Sequence, residues 1–350
     1  MKWRGGQVGR ATKAAPRRNL DPFPSGWYVL AFADELRRGR TLTRTLAGHE
    51  LVLFRTDSGR AAALDAYCPH LGAHFGHGGR VEGETLRCPF HGFRFDTEGR
   101  CVATGYASKP PPTAVGRTWP LVEVNGMLAT YFDAAGRPPA WEIPRLDTRG
   151  WSAPVHRRFT LAAHPQETTE NSVDLGHFSW VHGYREVRML REPVTDGPYL
   201  STAFAAQRPI PLLTRWWGAL RFHFEFETHI HGLGYSLVEV RVRGFDIRAR
   251  LWVLPMPIDG ERIALYLAVS GDGSDGVHPA LRPLPRALRA AAIGRGILLG
   301  LAVDAQQDFD IWQNKRYVHP PALAQGDGPI GKYRAWAAQF YPSAATAEPR

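Results

Sequence analysis

The sequence predicts an α+β chain of two domains behind a basic tail: a tail over residues 1–20, an all-β domain over 21–145, and over 146–350 a domain joining an antiparallel sheet to helices. Three observations predict it. The chain has 350 residues, and domains run to roughly 100–200 residues each. Glycine and proline, at 36 and 28 residues, break the first third of the chain into short apolar runs, as turns break up strands. Beyond it, Arg221-Phe-His-Phe-Glu-Phe-Glu-Thr-His-Ile230 alternates polar and apolar residues with the period of two that buries one face of a sheet.

In chain order, the first strands are expected at Trp27–Ala31, Leu51–Phe54, Ala61–Leu64, Phe93–Phe95 and Met127–Tyr131. The turn-rich stretch Ala134-Ala-Gly-Arg-Pro-Pro-Ala140 closes that domain. A helix is expected over Glu167–Val181, and strands over Arg221–Ile230, Val238–Val242 and Ile263–Val269 build a twisted sheet with one buried face. A long helix should start near Pro285 and run past Trp312, with Pro320-Pro321 marking where it cannot continue.

Charge and cysteine count exclude several classes of function. Lysine and arginine number 43 against 33 acids, a net charge of +10. Much of that excess is Lys2, Arg4, Arg10, Lys13, Arg17 and Arg18, in a stretch without any acid, so the body is nearly balanced and no nucleic-acid partner is expected. Three cysteines cannot form a disulfide framework, and a pair of them reads as metal-binding in a cytoplasmic protein. No apolar run is long enough for a membrane span, Ala290–Val303 being short and holding Arg295, and the basic start lacks the apolar core of a secretory signal.

Cys68-Pro-His70 is followed, after 17 intervening residues, by Cys88-Pro-Phe-His91. Thiolate and imidazole together favour zinc or iron. A zinc finger groups Cys with Cys and His with His, whereas each loop here supplies one of each, which suits a Rieske [2Fe-2S] cluster with two Cys on one iron and two His on the other. Zinc is the rival. His74 and His77 read as loop residues and Cys101 as core.

A second constellation is Asp174-Leu-Gly-His177-Phe-Ser-Trp-Val-His182. Three residues share a helical face, but five lie about 140° apart, so both imidazoles reach one metal only if the helix bends or ends between them, and Gly183 offers a stop. An iron that activates O₂ takes two His and one carboxylate on one face. On the long helix, Asp304 and Asp308 stand one turn apart with Asp310 pointing elsewhere, and spacing alone does not choose among them. His223, Glu225, His229 and His231 share one strand face, which reads as the wet side of a sheet.

These residues carry a resemblance. The pattern Cys68-x-His70…Cys88-x-x-His91 resembles the Rieske domain, and the extra cysteines of quinol-oxidising Rieske proteins are replaced by Ala73 and Phe90, which points to the ferredoxin and oxygenase branch. Phe23-Pro-Ser-Gly-Trp-Tyr28, Gln307-Asp-Phe-Asp-Ile-Trp312 and Gly328-Pro-Ile…Tyr333-Arg-Ala-Trp336 resemble the oxygenase component of ketosteroid hydroxylases and the related sterol desaturases. The resemblance implies a Rieske non-haem iron monooxygenase with a helix-grip catalytic domain, whose curved sheet wraps helices over the iron. It implies cluster ligands Cys68, His70, Cys88 and His91, iron ligands His177, His182 and Asp308, and Asp174 as a carboxylate bridging the two centres between neighbours in a ring of three subunits. NAD(P)H is expected only indirectly, through a flavin and iron–sulfur reductase or a ferredoxin, since no G-x-G-x-x-G follows a strand. The substrate is expected to be apolar and steroid-like, held by a pocket segment over 190–235 with Leu212, Leu213, Trp216, Trp217 and Phe224. Hydroxylation, desaturation, demethylation and oxidative cyclisation share the machinery. The alternative is a Rieske electron carrier fused to a ligand-binding domain.

Overall fold

From Gly26 onward the chain runs through β1 (Gly26–Phe32), β2 (Thr41–Leu46), β3 (His49–Arg55), β4 (Ala61–Asp65), β5 (Arg80–Glu82), β6 (Thr85–Arg87), β7 (Arg94–Phe95), β8 (Cys101–Ala103), β9 (Thr118–Trp119), β10 (Leu121–Val124) and β11 (Met127–Phe132). The computed structural model describes residues 20–107, 109–209, 221–244, 246–274 and 283–342. The basic tail up to residue 19, and Leu212, Leu213, Trp216 and Trp217 of the expected pocket segment, lie outside these residues. The strands form small antiparallel sheets in the orders β1-β11-β10, β2-β3-β4-β9 and β5-β6-β7-β8.

The second domain adds β12 (Val155–Ala162), α1 (Pro165–Glu170), α2 (Leu175–Trp180), β13 (Arg185–Asp196), β14 (Tyr199–Pro209), β15 (Arg221–His231), β16 (Ser236–Arg243), β17 (Ile247–Pro257), β18 (Arg262–Gly271), the long helix α3 (Arg286–Asn314) and α4 (Ile330–Ala337). Its seven strands pair antiparallel in the order β12-β18-β17-β16-β15-β14-β13. Leu251, Leu265, Leu267 and Val269 of the inner face pack with Leu298, Ala305 and Trp312 of α3. The helix sits close because Gly271 has no side chain: a Cβ there would meet the Ala290 carbonyl oxygen at 2.3 Å and the Gly294 nitrogen at 2.7 Å.

Two expectations are corrected. The sheet is buried on both faces at its centre, because Trp27, Val29, Met127 and Tyr131 of the first domain pack on Leu237, Trp252, Leu254 and Tyr266 of its outer face. The two domains therefore share a core, and β18 is buried along almost its whole length. The expected helix over 167–181 is two short helices. Asp174 accepts from the His177 amide at 3.1 Å and starts α2 afresh. The chain then turns back at Gly183 (φ +70°), where the Tyr184 amide reaches the Phe178 carbonyl at 2.9 Å.

Candidate metal centres

The two Cys-His loops are built alike. In the first, the Cys68 amide donates to the Ala73 carbonyl and the Gly72 amide returns to the Cys68 carbonyl, both at 2.9 Å. In the second, the Cys88 amide donates to Phe93 at 2.7 Å and the Gly92 amide to Cys88 at 3.2 Å. Gly72 and Gly92 turn the loops at φ +73° and +68°, where a side chain is strained. Each loop thus buries a thiol and lifts an imidazole to its tip. The His70 and His91 rings stand 4.8 Å apart at 75°, with His70 stacked on Phe93 at 4.2 Å.

The donor set fits a bound cluster. Burial pushes the Cys68 thiol up to about 12, and the Cys88 thiol beside it adds to the rise. A buried thiol in that state calls for a cation before it can ionise. Nδ1 of His91 is buried without a hydrogen-bond partner among the described residues, a deficit that a metal bond would remove. The neighbours have local roles: Nδ1 of His74 accepts from the Gly76 amide at 2.9 Å, and Sγ of Cys101 donates to the Ala103 carbonyl at 3.3 Å.

In the second domain, donor atoms of His177, His182 and Asp308 all lie within 4.8 Å of one another. The end of α2 between the two histidines makes this possible, because His182 leaves the helical spiral that would have carried it away from His177. Nδ1 of His177 donates to the Asp174 carbonyl at 2.6 Å, and Nδ1 of His182 donates to Oε1 of Gln307 at 3.0 Å. Both rings therefore keep the Nε2 lone pair free. Asp308, buried on α3, brings its Oδ2 to 3.4 Å from Nε2 of His182. Burial alone would lower the His182 imidazole, but the nearby Asp308 carboxylate and Gln307, which favour the protonated ring, outweigh it and raise its pKa above the ordinary value.

Asp174 differs from expectation in one respect. Its carboxylate caps the helix and lies 3.8 Å from Nδ1 of His177, beyond a hydrogen bond, while its own carbonyl holds the ring. Burial pushes this carboxyl up, but its His177 contacts outweigh that and leave its pKa below the usual value.

Asp304, which spacing alone left as a candidate third ligand, is engaged elsewhere. It pairs with Arg208 and accepts from the Tyr184 hydroxyl at 3.5 Å. Asp310 is exposed. His223, Glu225, His229 and His231 lie on the outward row of β15, opposite the row of Phe222, Phe226 and Ile230 that is buried. Sequence reading missed Gln307, Tyr184 and Arg208. Gln307 could have been found as the acceptor one residue before the carboxylate on the same helix, but Arg208 needed a strand that was not expected. An aromatic wall of Phe178, Tyr184, Phe204, Phe224 and Phe226 continues from the histidines: Phe178 is 4.3 Å from the His177 ring and 4.7 Å from Phe204, and Phe204 is 4.8 Å from Phe226.

A β domain with two Cys-His loops, followed by a sheet that grips a helix beside two imidazoles and a carboxylate, is the design of a Rieske-type non-haem iron oxygenase component. The particular branch follows from comparison with known proteins. Residues 26–123 match the Rieske [2Fe-2S] domain, and residues 130–341 match the 3-ketosteroid 9alpha-hydroxylase C-terminal domain, so the chain belongs to that family of Rieske oxygenases. It is 30% identical over 344 residues to cholesterol 7-desaturase nvd 1 of Ciona intestinalis, covering 91% of this chain and 69% of that one. It is also 30% identical over 333 residues to a probable 3-ketosteroid-9-alpha-monooxygenase oxygenase component of Rhodococcus rhodochrous, covering 91% and 80%. Among solved structures it shares the fold of dicamba monooxygenase bound to dicamba, with a TM-score of 0.64 at 20% identity over 90% of this chain and 96% of that one. The protein is an oxidoreductase, the oxygenase component of a multi-component system supplied by a reductase, and it carries a [2Fe-2S] cluster and a mononuclear non-haem iron. Among the described residues no helix is long and apolar enough to cross a membrane.

Proposed function

We propose that Cys68, His70, Cys88 and His91 hold the cluster, that His177, His182 and Asp308 hold the iron, and that the substrate is a polycyclic, steroid-like molecule that is hydroxylated or desaturated. The observation that carries this reading is the meeting of two imidazoles and a carboxylate within 4.8 Å, with both Nδ1 atoms already committed to hydrogen bonds. When bound, the cluster supplies single electrons and the iron activates O₂. The chain's own residues then do three things. The Asp174 carbonyl and Gln307 fix the two rings and their tautomers, Asp308 contributes the negative charge, and the wall of Phe178, Phe204, Phe224 and Phe226 excludes water from an apolar substrate.

Relatives named for cholesterol and for a 3-ketosteroid support the substrate class. We further infer a ring of three subunits in the cytoplasm, with domains at 21–145 and 146–350. Tyr67, Leu71, Phe90 and Tyr106 beside the cluster loops, and Trp180 at 91% exposure beside the iron site, are the apolar surface such a ring would cover. In that ring Asp174 bridges to a cluster imidazole of the neighbour. The test is a product screen with reductase, NADH and O₂ against sterols, 3-ketosteroids, pyrroles and small aromatics, with light scattering for the trimer. Oxidation of a steroid is expected, and turnover of small aromatics alone overturns the substrate reading.

A further inference from the structure

We propose that the outer face of α3, together with an arginine-lined cleft at its start, is a docking surface for an anionic lipid bilayer, on which the protein rests without spanning it. The proposal goes beyond the reading of the metal centres and does not depend on it.

The composition of α3 raises the question of what covers it. From Pro283 to Val303 the chain holds Arg286, Arg289 and Arg295, no acid, and otherwise only proline, glycine and apolar residues. A helix that is apolar on every side needs cover on every side. The inner side has it: Ile293, Leu298 and Ala302 are buried, and α3 packs on β12, β17 and β18, which are neighbours in one sheet. Arg289 also turns inward, where its guanidinium donates to the Gly273 carbonyl at 2.7 Å.

The outer side is open to solvent. Leu288, Leu299 and Val303 are 59%, 57% and 57% exposed. With Ala292 and Arg295, both exposed, they follow one another at steps of three and four residues, the spacing of a single helical face. The stripe is about 22 Å long at 1.5 Å per residue, and its one charge is a cation. Apolar side chains exposed singly need no explanation, but a continuous stripe marks a contact surface. It also runs away from the iron site, since Leu288 stands about 30 Å along the helix axis from Asp308.

Charge selects the occupant. The first turn of α3 borders a cleft of about 350 Å³ lined by Arg149, Trp151, Arg248 and Arg286. The one carboxylate lining it, Asp272, is buried and pairs with Arg248, while Arg149 also reaches Asp147 at 2.7 Å. With Arg295 the surface therefore carries four arginines against two acids. Guanidiniums beside an apolar stripe match lipid phosphates above an acyl boundary, and the half-buried Trp151 is of the kind that settles at headgroup level. A protein partner would be met by a more mixed surface, whereas apart from Arg295 the stripe offers no hydrogen-bonding side chain. The arginines also bar α3 from crossing the bilayer, and no described helix is apolar enough to do so.

The test is sedimentation of the holoenzyme with unilamellar vesicles, either of phosphatidylcholine alone or of phosphatidylcholine and phosphatidylglycerol in equal parts. The wild type should partition to the anionic vesicles at least about tenfold better than to the neutral ones. Arg295→Gln should weaken binding to the anionic vesicles by about fivefold, the loss of one surface cation. Leu288→Gln/Leu299→Gln should weaken it by at least about tenfold, with iron content and the cluster spectrum unchanged. The basic tail is present in every sample, so differences between wild type and variants report on α3. No binding to anionic vesicles, or equal binding by the wild type and the variants, overturns the proposal. A fall in mass by light scattering without lipid in Leu288→Gln/Leu299→Gln also overturns it, because a second copy would then be what covers the stripe. If the double variant does not fold, Arg295→Gln decides.

Discussion

Gln307 is the side chain through which the iron site can be loosened without touching a proposed ligand. Its Oε1 accepts from Nδ1 of His182 at 3.0 Å, whereas the corresponding acceptor for His177 is a main-chain carbonyl that substitution cannot remove. Gln307→Leu keeps the side-chain length but frees the His182 ring to rotate and to exchange tautomers. Loss of such an outer partner weakens metal binding by about 10- to 100-fold, which corresponds to roughly 1.4–2.8 kcal/mol. Gln307 is itself partly open to solvent, where water can replace it, so the lower end of that range is expected. The assay is an anaerobic titration of Fe(II) against a competing chromophoric chelator, with the cluster spectrum as internal control. Gln307→Glu keeps the acceptor and should restore the affinity. An unchanged Fe(II) affinity in Gln307→Leu would refute the claim that His182 binds iron through Nε2 while Gln307 fixes the ring.

The other predictions concern the acids and one half-buried histidine. Asp308→Ala should lose the mononuclear iron, while Asp304→Ala and Asp310→Ala retain it. Metal analysis decides, and full iron in Asp308→Ala would move the third ligand elsewhere. In Asp174→Asn the substitution keeps the size and the cap but removes the charge, so both metals should remain while substrate-dependent reoxidation of the reduced cluster slows. Reoxidation at the wild-type rate would reduce Asp174 to an ordinary cap. Burial, and then the neighbouring His229, lower His231 from 6.5 to about 4. The unfolded chain therefore binds more protons between those values, so stability is full above about pH 6.5 and falls as the pH drops toward 4, by about 2 kcal/mol once partial exposure is allowed for. Urea midpoints across that window should decline less in His231→Gln, and an identical decline would show that His231 titrates alike in the folded and the unfolded chain.

How much was legible follows from how each feature is encoded. The cluster loops were readable because each packs its donors into a few consecutive residues, Cys68 to Gly72 and Cys88 to Gly92, and the hydrogen bonds that shape them are equally local. The start of the long helix was readable from Pro285, whereas Pro320 set only an outer limit, since the helix ends at Asn314. β13 was not, because Arg185–Asp196 is a largely exposed edge strand rich in charge, the composition that keeps an edge from pairing further. The double burial of β18 was hidden because its outer face is covered by residues more than a hundred positions earlier in the chain. The break between α1 and α2 could have been read from Asp174, whose short side chain both caps a helix and competes with helix continuation. Arg208 becomes meaningful only when β14 sets it opposite α3.

Two separate metal centres with separate ligand sets should coexist in this chain. Iron and acid-labile sulfide per chain, measured together with the visible spectrum in the wild type, Cys68→Ser and His177→Ala, test it most directly. About three irons and two sulfides are expected in the wild type, with loss of the charge-transfer bands in Cys68→Ser and, in His177→Ala, an intact spectrum with one iron fewer. A wild-type protein with only two irons, or a normal [2Fe-2S] spectrum in Cys68→Ser, would contradict it.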